Sequence, residues 1–297
     1  LLIVTLAQIL PKSFIRVFAS RYIAGEYLSD CVRVVRELNS KKILATIDVL
    51  GEDTTKIEEA NNATNEAIDV LKKIADEKLD STLSVKLTQL GLKLSYDICL
   101  ENMERILYTA KELNNYVEID MEDSTCTYDT VNMFKELRKN YSNCGMVMQA
   151  YLREAENIFN GTLKDLNGSS VRLCKGIYNE SEEIAYKDKK GIRDNFVYLL
   201  DYLFQNNIYV GIATHDIYLV NAAKQLIKKY NKSFDEFEFQ MLLGVKIDLR
   251  DQLVKEGYKV RIYVPFGTQW YKYSFRRMRE NPDLAKNIAL NIFSKRS

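Results

Sequence analysis

The chain has 297 residues, 42 basic and 41 acidic, for a formal charge of +1 at neutral pH. That balance argues against a dedicated nucleic-acid binder, which would carry a strong basic excess, and the length suits one α/β barrel with extra helices. The five cysteines (Cys31, Cys99, Cys126, Cys144, Cys174) form no C-x-x-C pair and there is a single histidine, so no zinc constellation is expected and a reducing, cytoplasmic compartment is the natural setting.

From the N-terminus, LLIVTLAQIL is apolar but ends at Pro11-Lys12, too short to span a bilayer. It has no basic region before it and no small-residue cleavage site after it, so it is expected to be a packed helix rather than a signal peptide. Residues 1–40 are predicted to be helices packed on a barrel formed by 41–297. Val32, Val35 and Leu38 fall at helical spacing in EYLSDCVRVVRELNS. An alternation then sets in. The β-rich runs are KKILATIDVL, STLSVKLTQL, YVEIDMED, NCGMVMQAY, SSVRLCKGIY, IYVGIATHD, EFEFQMLLG and KVRIYVPFG. A helical pattern follows each, beginning with TTKIEEANNATNEAIDVLKKIADEK. Strand and helix in repeated alternation predict a (β/α)8 TIM-type barrel with an N-terminal helical arm. No G-x-G-x-x-G follows the first strand, which removes the usual dinucleotide fingerprint of an open doubly wound sheet.

Barrel strands are buried on both faces, so polar residues on them need a reason. Nearly every predicted strand ends in one: Asp48 with Glu52, Lys86, Asp120, Gln149, Arg172, Thr214 with His215, and Tyr263. Any one of these alone could be a satisfied interior group. Together they converge on the C-terminal rim, where sites on this fold lie.

The last predicted unit runs from Lys259 to Asn281. Val260, Ile262 and Val264 alternate with Lys259, Arg261 and Tyr263. Pro265 and Gly267 are expected to stop this strand and Thr268 to cap a helix. In that helix Tyr273, Arg276, Arg277 and Glu280 form one stripe at i, i+3, i+4 and i+7. Such a charged stripe is either a solvated face or, as an arginine pair, a bidentate grip on a carboxylate or phosphate.

The pattern R-x-Y-x-P-x-G-x-x-W-x-x-Y-x-x-R-R-x-x-E-N resembles the last strand and helix of proline dehydrogenase, the flavoenzyme that oxidises L-proline to 1-pyrroline-5-carboxylate, alone or within the bifunctional proline utilization protein. SVKLTQLG, IDMED, MQAY, VRLCKGIY, IATHD and FQMLLG are similar to family strand motifs in the same order over nearly the whole chain. The resemblance implies FAD as cofactor and a quinone at the membrane as electron acceptor, hence a peripheral membrane contact. It implies that Arg276 and Arg277 clamp the substrate carboxylate with Lys86, that Tyr263, Tyr273 and Tyr178 wall the ring, and that Asp120 braces the cluster. It places Glu52 in a gating pair with the second arginine. It places Arg172 beside the flavin, with Gln149, Cys174, Lys175, Gly176, Thr214, His215 and Glu280 around the cofactor. Cys174 departs from the usual valine. Lone histidines are often structural, and flavin chemistry does not require a general base, so His215 is read as a cofactor partner. Two alternatives remain beside this reading: a barrel acting on 4-hydroxyproline, and a binding protein whose RRMRENP segment contacts RNA or a partner.

Overall fold

A computed structural model describes residues 16, 19–271, 273 and 274. After helix α1 (Leu28–Asn39) come β1 (Leu44–Val49), α2 (Ile57–Asp76), β2 (Ser81–Val85), α3 (Tyr96–Glu112), β3 (Val117–Ile119), α4 (Thr127–Leu137), β4 (Cys144–Gln149) and α5 (Ala155–Leu166). They are followed by β5 (Ser170–Cys174), α6 (Lys189–Gln205), β6 (Tyr209–Ala213), α7 (Ile217–Lys229), β7 (Phe237–Leu242), α8 (Ile247–Lys255) and β8 (Val260–Phe266). The eight strands lie side by side in chain order and close, β8 pairing parallel with β1. This is the (β/α)8 barrel that the alternation predicts.

The strands share one division of faces. Outward positions are apolar and buried under the helices: Ala45 and Ile47 on β1, Leu83 on β2, Val117 and Ile119 on β3, Val210 and Ile212 on β6, and Val260, Ile262 and Val264 on β8. Their burial against the helix layer is the main source of stability, at about 1.5–3 kcal/mol for each large aliphatic side chain. Helix starts at the C-terminal rim are fixed by short polar side chains. Asp188 Oδ1 accepts from Gly191 N at 2.7 Å, and Asp216 Oδ1 from Tyr218 N at 3.1 Å, which satisfies amides with no partner inside the helix.

Inward positions carry polar side chains, matched across the registers Asp48↔Ser84, Ser84↔Glu118, Gly211↔Glu238 and Gln240↔Arg261. Two glycines make room for them. A Cβ on Gly211 would meet Gln240 Nε2 at 2.3 Å, and one on Gly145 would meet Ser170 Oγ at 2.4 Å.

Three local expectations are corrected. The second strand ends at Val85. Lys86 to Leu94 form turns instead, closed by Gln89 N to Lys86 O at 3.1 Å and Leu92 N to Leu87 O at 2.9 Å, because the leucines there pack without extending. Pro265 does not stop β8 but lies inside it, its carbonyl accepting from Ala24 N at 2.9 Å. The final helix begins at Trp270, two residues after Thr268.

Candidate active site

Asp120 is the centre of the chamber. It follows β3 on the inward face, and its carboxylate takes four donors. Oδ1 accepts from Arg172 Nη1 at 2.7 Å and Ser84 Oγ at 2.8 Å. Oδ2 accepts from the Tyr263 hydroxyl at 2.7 Å and Lys86 Nζ at 3.1 Å. All four groups are buried or nearly so. Burial works to raise the Asp120 carboxyl, but Lys86 and Arg172 outweigh it and hold the group below the usual carboxylate range.

Lys86 is committed to this frame. Its ammonium also donates to Asp48 Oδ1 at 2.7 Å and to the Tyr263 hydroxyl at 3.2 Å, so each of its three hydrogens has a partner. In the structure it braces Asp48 and Asp120. Arg172 donates from Nε to Gln240 Oε1 at 2.6 Å and lies 5.2 Å from the Tyr263 ring centroid. Among the described residues its Nη2 has no partner. Burial and the carboxylates of Asp120 and Asp48 push the Tyr263 phenol well above its ordinary range, so it stays a neutral donor.

A second ionic layer lies deeper. Arg261 donates to Glu238 from Nε at 2.6 Å and Nη2 at 3.1 Å, and to Ala45 O at 2.8 Å. Gln240 joins the layers, donating to Glu238 Oε1 at 2.7 Å while accepting from Arg172. The chamber floor is therefore a continuous charge-assisted lattice, which rigidifies what it supports.

Around the rim, Gln149 donates to Met121 O at 2.9 Å, and its buried Oε1 has no partner among the described residues. Cys174 ends β5, followed by Lys175, whose Nζ donates to Asp216 Oδ2 at 2.6 Å. At Gly176 φ is +99° and a Cβ would stand 2.2 Å from the Tyr151 ring, so only glycine fits this close approach. Thr214 Oγ1 accepts from Asp216 N at 3.1 Å. His215 accepts at Nε2 from Leu242 N at 2.9 Å, tying the ends of β6 and β7. Arg193 grips Asp216 at 2.8 and 2.6 Å and holds its carboxyl far below the usual range. Glu52 and Tyr178 are partly buried on the loops after β1 and β5, and Tyr273 is buried on the final helix. Arg276, Arg277 and Glu280 lie outside the described residues.

The structure thus brings Lys86, Asp120, Arg172 and Tyr263 into one bonded group, with Gln149 at the end of β4, beside the strand that carries Arg172. Sequence reasoning missed Ser84, Gln240, Glu238 and Arg261 as members of the lattice. It also missed Arg193 and Asp216. The signal for Ser84, Gln240, Glu238 and Arg261 was present as polar residues at alternate strand positions, but only the register assigns them to the barrel interior; Arg193 on α6 and Asp216 at the start of α7 carried no such signal.

Known proteins agree with this architecture. The family profile described as proline dehydrogenase matches residues 31–289. Proline dehydrogenase 2 of Bacillus subtilis strain 168 is 40% identical over 276 residues, covering 92% of this chain and 89% of that protein. A proline dehydrogenase of Deinococcus radiodurans is 32% identical over 269 residues, covering 89% and 86%. Among solved structures, proline utilization A from Bdellovibrio bacteriovorus, inactivated by N-propargylglycine, superposes with a TM-score of 0.83 at 27% identity. That match covers 89% of this chain and 32% of the other, so the chain spans about a third of that larger protein.

Proposed function

The chain belongs to the proline dehydrogenase family, and from that premise we propose that it oxidises L-proline to 1-pyrroline-5-carboxylate with bound FAD, passing the electrons to a quinone. The observation that carries this reading is a donor and an acceptor left over on the inner faces of adjacent strands. Among the described residues neither the buried Arg172 Nη2 nor the buried Gln149 Oε1 has a partner, and Asp48 Oδ2 on β1 has none either. Buried polar atoms of this kind require partners, and the edge of an isoalloxazine ring offers acceptors beside an N–H donor. When bound, FAD supplies the two-electron acceptor for the hydride lost from the carbon next to the substrate nitrogen.

The chain's own residues supply position and electrostatics. Arg172 is a fixed cation where negative charge develops. Tyr263 offers its ring face to the substrate while Asp120 holds its hydroxyl. In this proposal Arg276 and Arg277 clamp the carboxylate and Tyr273 and Tyr178 complete the wall, with Glu52 at the gate. Lys175, Gly176, Thr214 and His215 receive the cofactor beside Cys174, with Glu280 completing its binding set. Among the described residues no helix is long and apolar enough to cross a membrane; quinone reduction is proposed to occur at a peripheral contact on its cytoplasmic face.

The purified protein is expected to be yellow and to bleach on anaerobic addition of L-proline. A colourless folded protein, or a yellow one indifferent to proline, would overturn the reading.

Tyr263 also sets a specificity expectation. Its hydroxyl is fixed by Asp120 and its ring flanked by Arg172, so it cannot move aside for a ring substituent, and overpacking a formed pocket costs about 1–3 kcal/mol. Proline is therefore expected to be preferred over 4-hydroxyproline. Tyr263→Ser should lower activity on proline and move the ratio of catalytic efficiencies towards the hydroxylated ring. An unmoved ratio would place the substrate elsewhere.

A further inference from the structure

The barrel interior holds an odd charge. Among the described residues the carboxyl groups between the strands are Asp48, Glu118, Asp120 and Glu238, with Lys86, Arg172 and Arg261 as cations; Glu122, buried on the loop beyond β3, is held instead by Thr88 N and Oγ1 at 3.0 and 2.5 Å. The ion pairs are Lys86 with Asp48 and Asp120, Arg172 with Asp120, and Arg261 with Glu238. Glu118 is left over. It lies two residues before Asp120 on the same inward face, is 6% exposed, and takes part in none of these pairs. Its oxygens receive only the Ser170 hydroxyl, at 3.3 Å each. A buried carboxylate without a paired cation costs more than a neutral acid.

Glu118 is also connected outwards, away from the chamber. Ser170 Oγ lies 3.2 Å from the Tyr116 hydroxyl, which in turn lies 3.3 Å from Ser169 Oγ. Tyr116 lines an open polar pocket of about 440 Å³ at the N-terminal end of the barrel, with Ser81, Asn115 and Asn143. Gly145 keeps this line clear, since a Cβ there would stand 2.8 Å from the Tyr116 hydroxyl as well as against Ser170.

We propose that Glu118 is a proton-exchange site for the chamber. It holds the one proton that the buried lattice cannot replace with an ion pair, and exchanges it with solvent through Ser170 and Tyr116. In release, Ser170 passes its hydroxyl proton to the Tyr116 oxygen, the direction in which that bond runs, and takes the Glu118 proton in its place, while Tyr116 gives its own proton to the pocket. Uptake runs in reverse with both hydroxyls turned, and no electron moves.

The surroundings fit a group poised near neutrality. Burial is the largest influence on Glu118, opposed by Arg172 on β5, with Glu238 on β7 raising it, Arg261 on β8 lowering it and Asp120 on its own strand raising it. The result is a carboxyl pushed up to about 7. Tyr116 before β3 and Tyr209 on β6 also face it, Cys144 lies nearby on the outer face of β4, and burial keeps all three neutral. Negative charge arriving above, such as a substrate carboxylate, should draw a proton onto Glu118. This last step rests on the function proposed above.

Infrared difference spectra of the full chain, taken against pH, test the assignment. A protonated-carboxyl band titrating near neutrality is expected, carried by glutamate on isotope labelling, lost in Glu118→Gln and retained in Asp48→Asn. A band that survives Glu118→Gln or disappears in Asp48→Asn would overturn it. If Glu118→Gln fails to fold, Glu118→Asp keeps the carboxyl and should move the band off the glutamate label, which separates it from Glu122, a second buried glutamate whose carboxyl burial raises; a glutamate band left in place would overturn the assignment. Tyr116→Phe should slow exchange of that proton with D2O by roughly tenfold, the factor set by one lost hydrogen bond; an unchanged rate would overturn the route.

Stability gives a second readout. The folded carboxyl titrates above its unfolded value, so its stabilising contribution is complete below about 4.5 and is lost as pH rises through about 7. The urea midpoint should fall across that window and do so less in Glu118→Gln; equal slopes would overturn the proposal. L-proline, with binding verified by calorimetry, should shift the band's titration to higher pH. Binding without a shift would refute the link to the chamber, whereas absence of binding would count against the substrate and leave the assignment to the band and the stability slope.

Discussion

Replacing Asp120 with alanine is expected to destabilise the chain by about 3–5 kcal/mol, the usual consequence of removing one partner from a buried ion pair. The loss should be at the upper end because two cations depend on this carboxylate. Arg172 has no other ion-pair partner among the described residues, and Lys86 would retain only Asp48. Ser84 and Tyr263 would each lose the acceptor of a bond shorter than 2.9 Å. Asp120→Asn should fare little better, since an amide keeps one acceptor but sets two donors among groups that also donate. Urea unfolding provides the measurement, and a midpoint within error of the parent would show that the lattice is not organised around Asp120. The pH dependence follows from the same bonds. Because Asp120 is held below its ordinary value of 3.8, its contribution is present above that pH and is lost only as pH falls through the lower, folded value. The parent's advantage over Asp120→Asn should therefore persist through mildly acid conditions and shrink at the acid extreme.

The architecture was legible in the sequence because two periods alternate along it. Runs such as IYVGIATHD and KVRIYVPFG read as strands, and their intervening helices follow. The bonded group was legible for a different reason. Lys86, Asp120 and Arg172 are charged residues in otherwise apolar strands, a placement that is costly without function or pairing. What the sequence could not assign is which cations pair with which carboxylates. Arg261 alternates in step with Tyr263, but the same alternation describes a solvent-facing edge, and only the pairing Gln240↔Arg261 puts it inside the barrel. Glu118 shares a strand and a face with Asp120, yet its isolation depends on Arg261 turning to Glu238. The end of β2 was hidden because Leu87 and Leu90 continue an apolar pattern through what is a turn. For Lys86 it is the fold that brings its three partners together, Asp48, Asp120 and Tyr263, from β1, the end of β3 and β8.

Arg172→Met should separate the floor of the chamber from its chemistry. Methionine fills much of the volume but removes the bonds to Asp120, Ser84 and Gln240. Gln240 Oε1 would be orphaned at a cost of about 1–3 kcal/mol, whereas Asp120 would keep Lys86, Ser84 and Tyr263, so the chain should fold. Catalysis should suffer more. If Nη2 is the donor placed where negative charge develops, its removal should lower kcat by roughly 10²–10³, as for other preorganised donors of this kind. KM should change much less, because Arg172 is not the carboxylate clamp in this proposal. The bound flavin should become harder to reduce, measured by potentiometry, since a fixed cation favours the reduced anion. Arg172→Lys restores the charge without the planar fork, and one ammonium cannot reach Asp120, Gln240 and the flavin edge together. It should recover part of the potential but little of kcat. A raised KM with unchanged kcat, or a potential that does not move, would place Arg172 with the substrate's binding groups rather than beside the flavin.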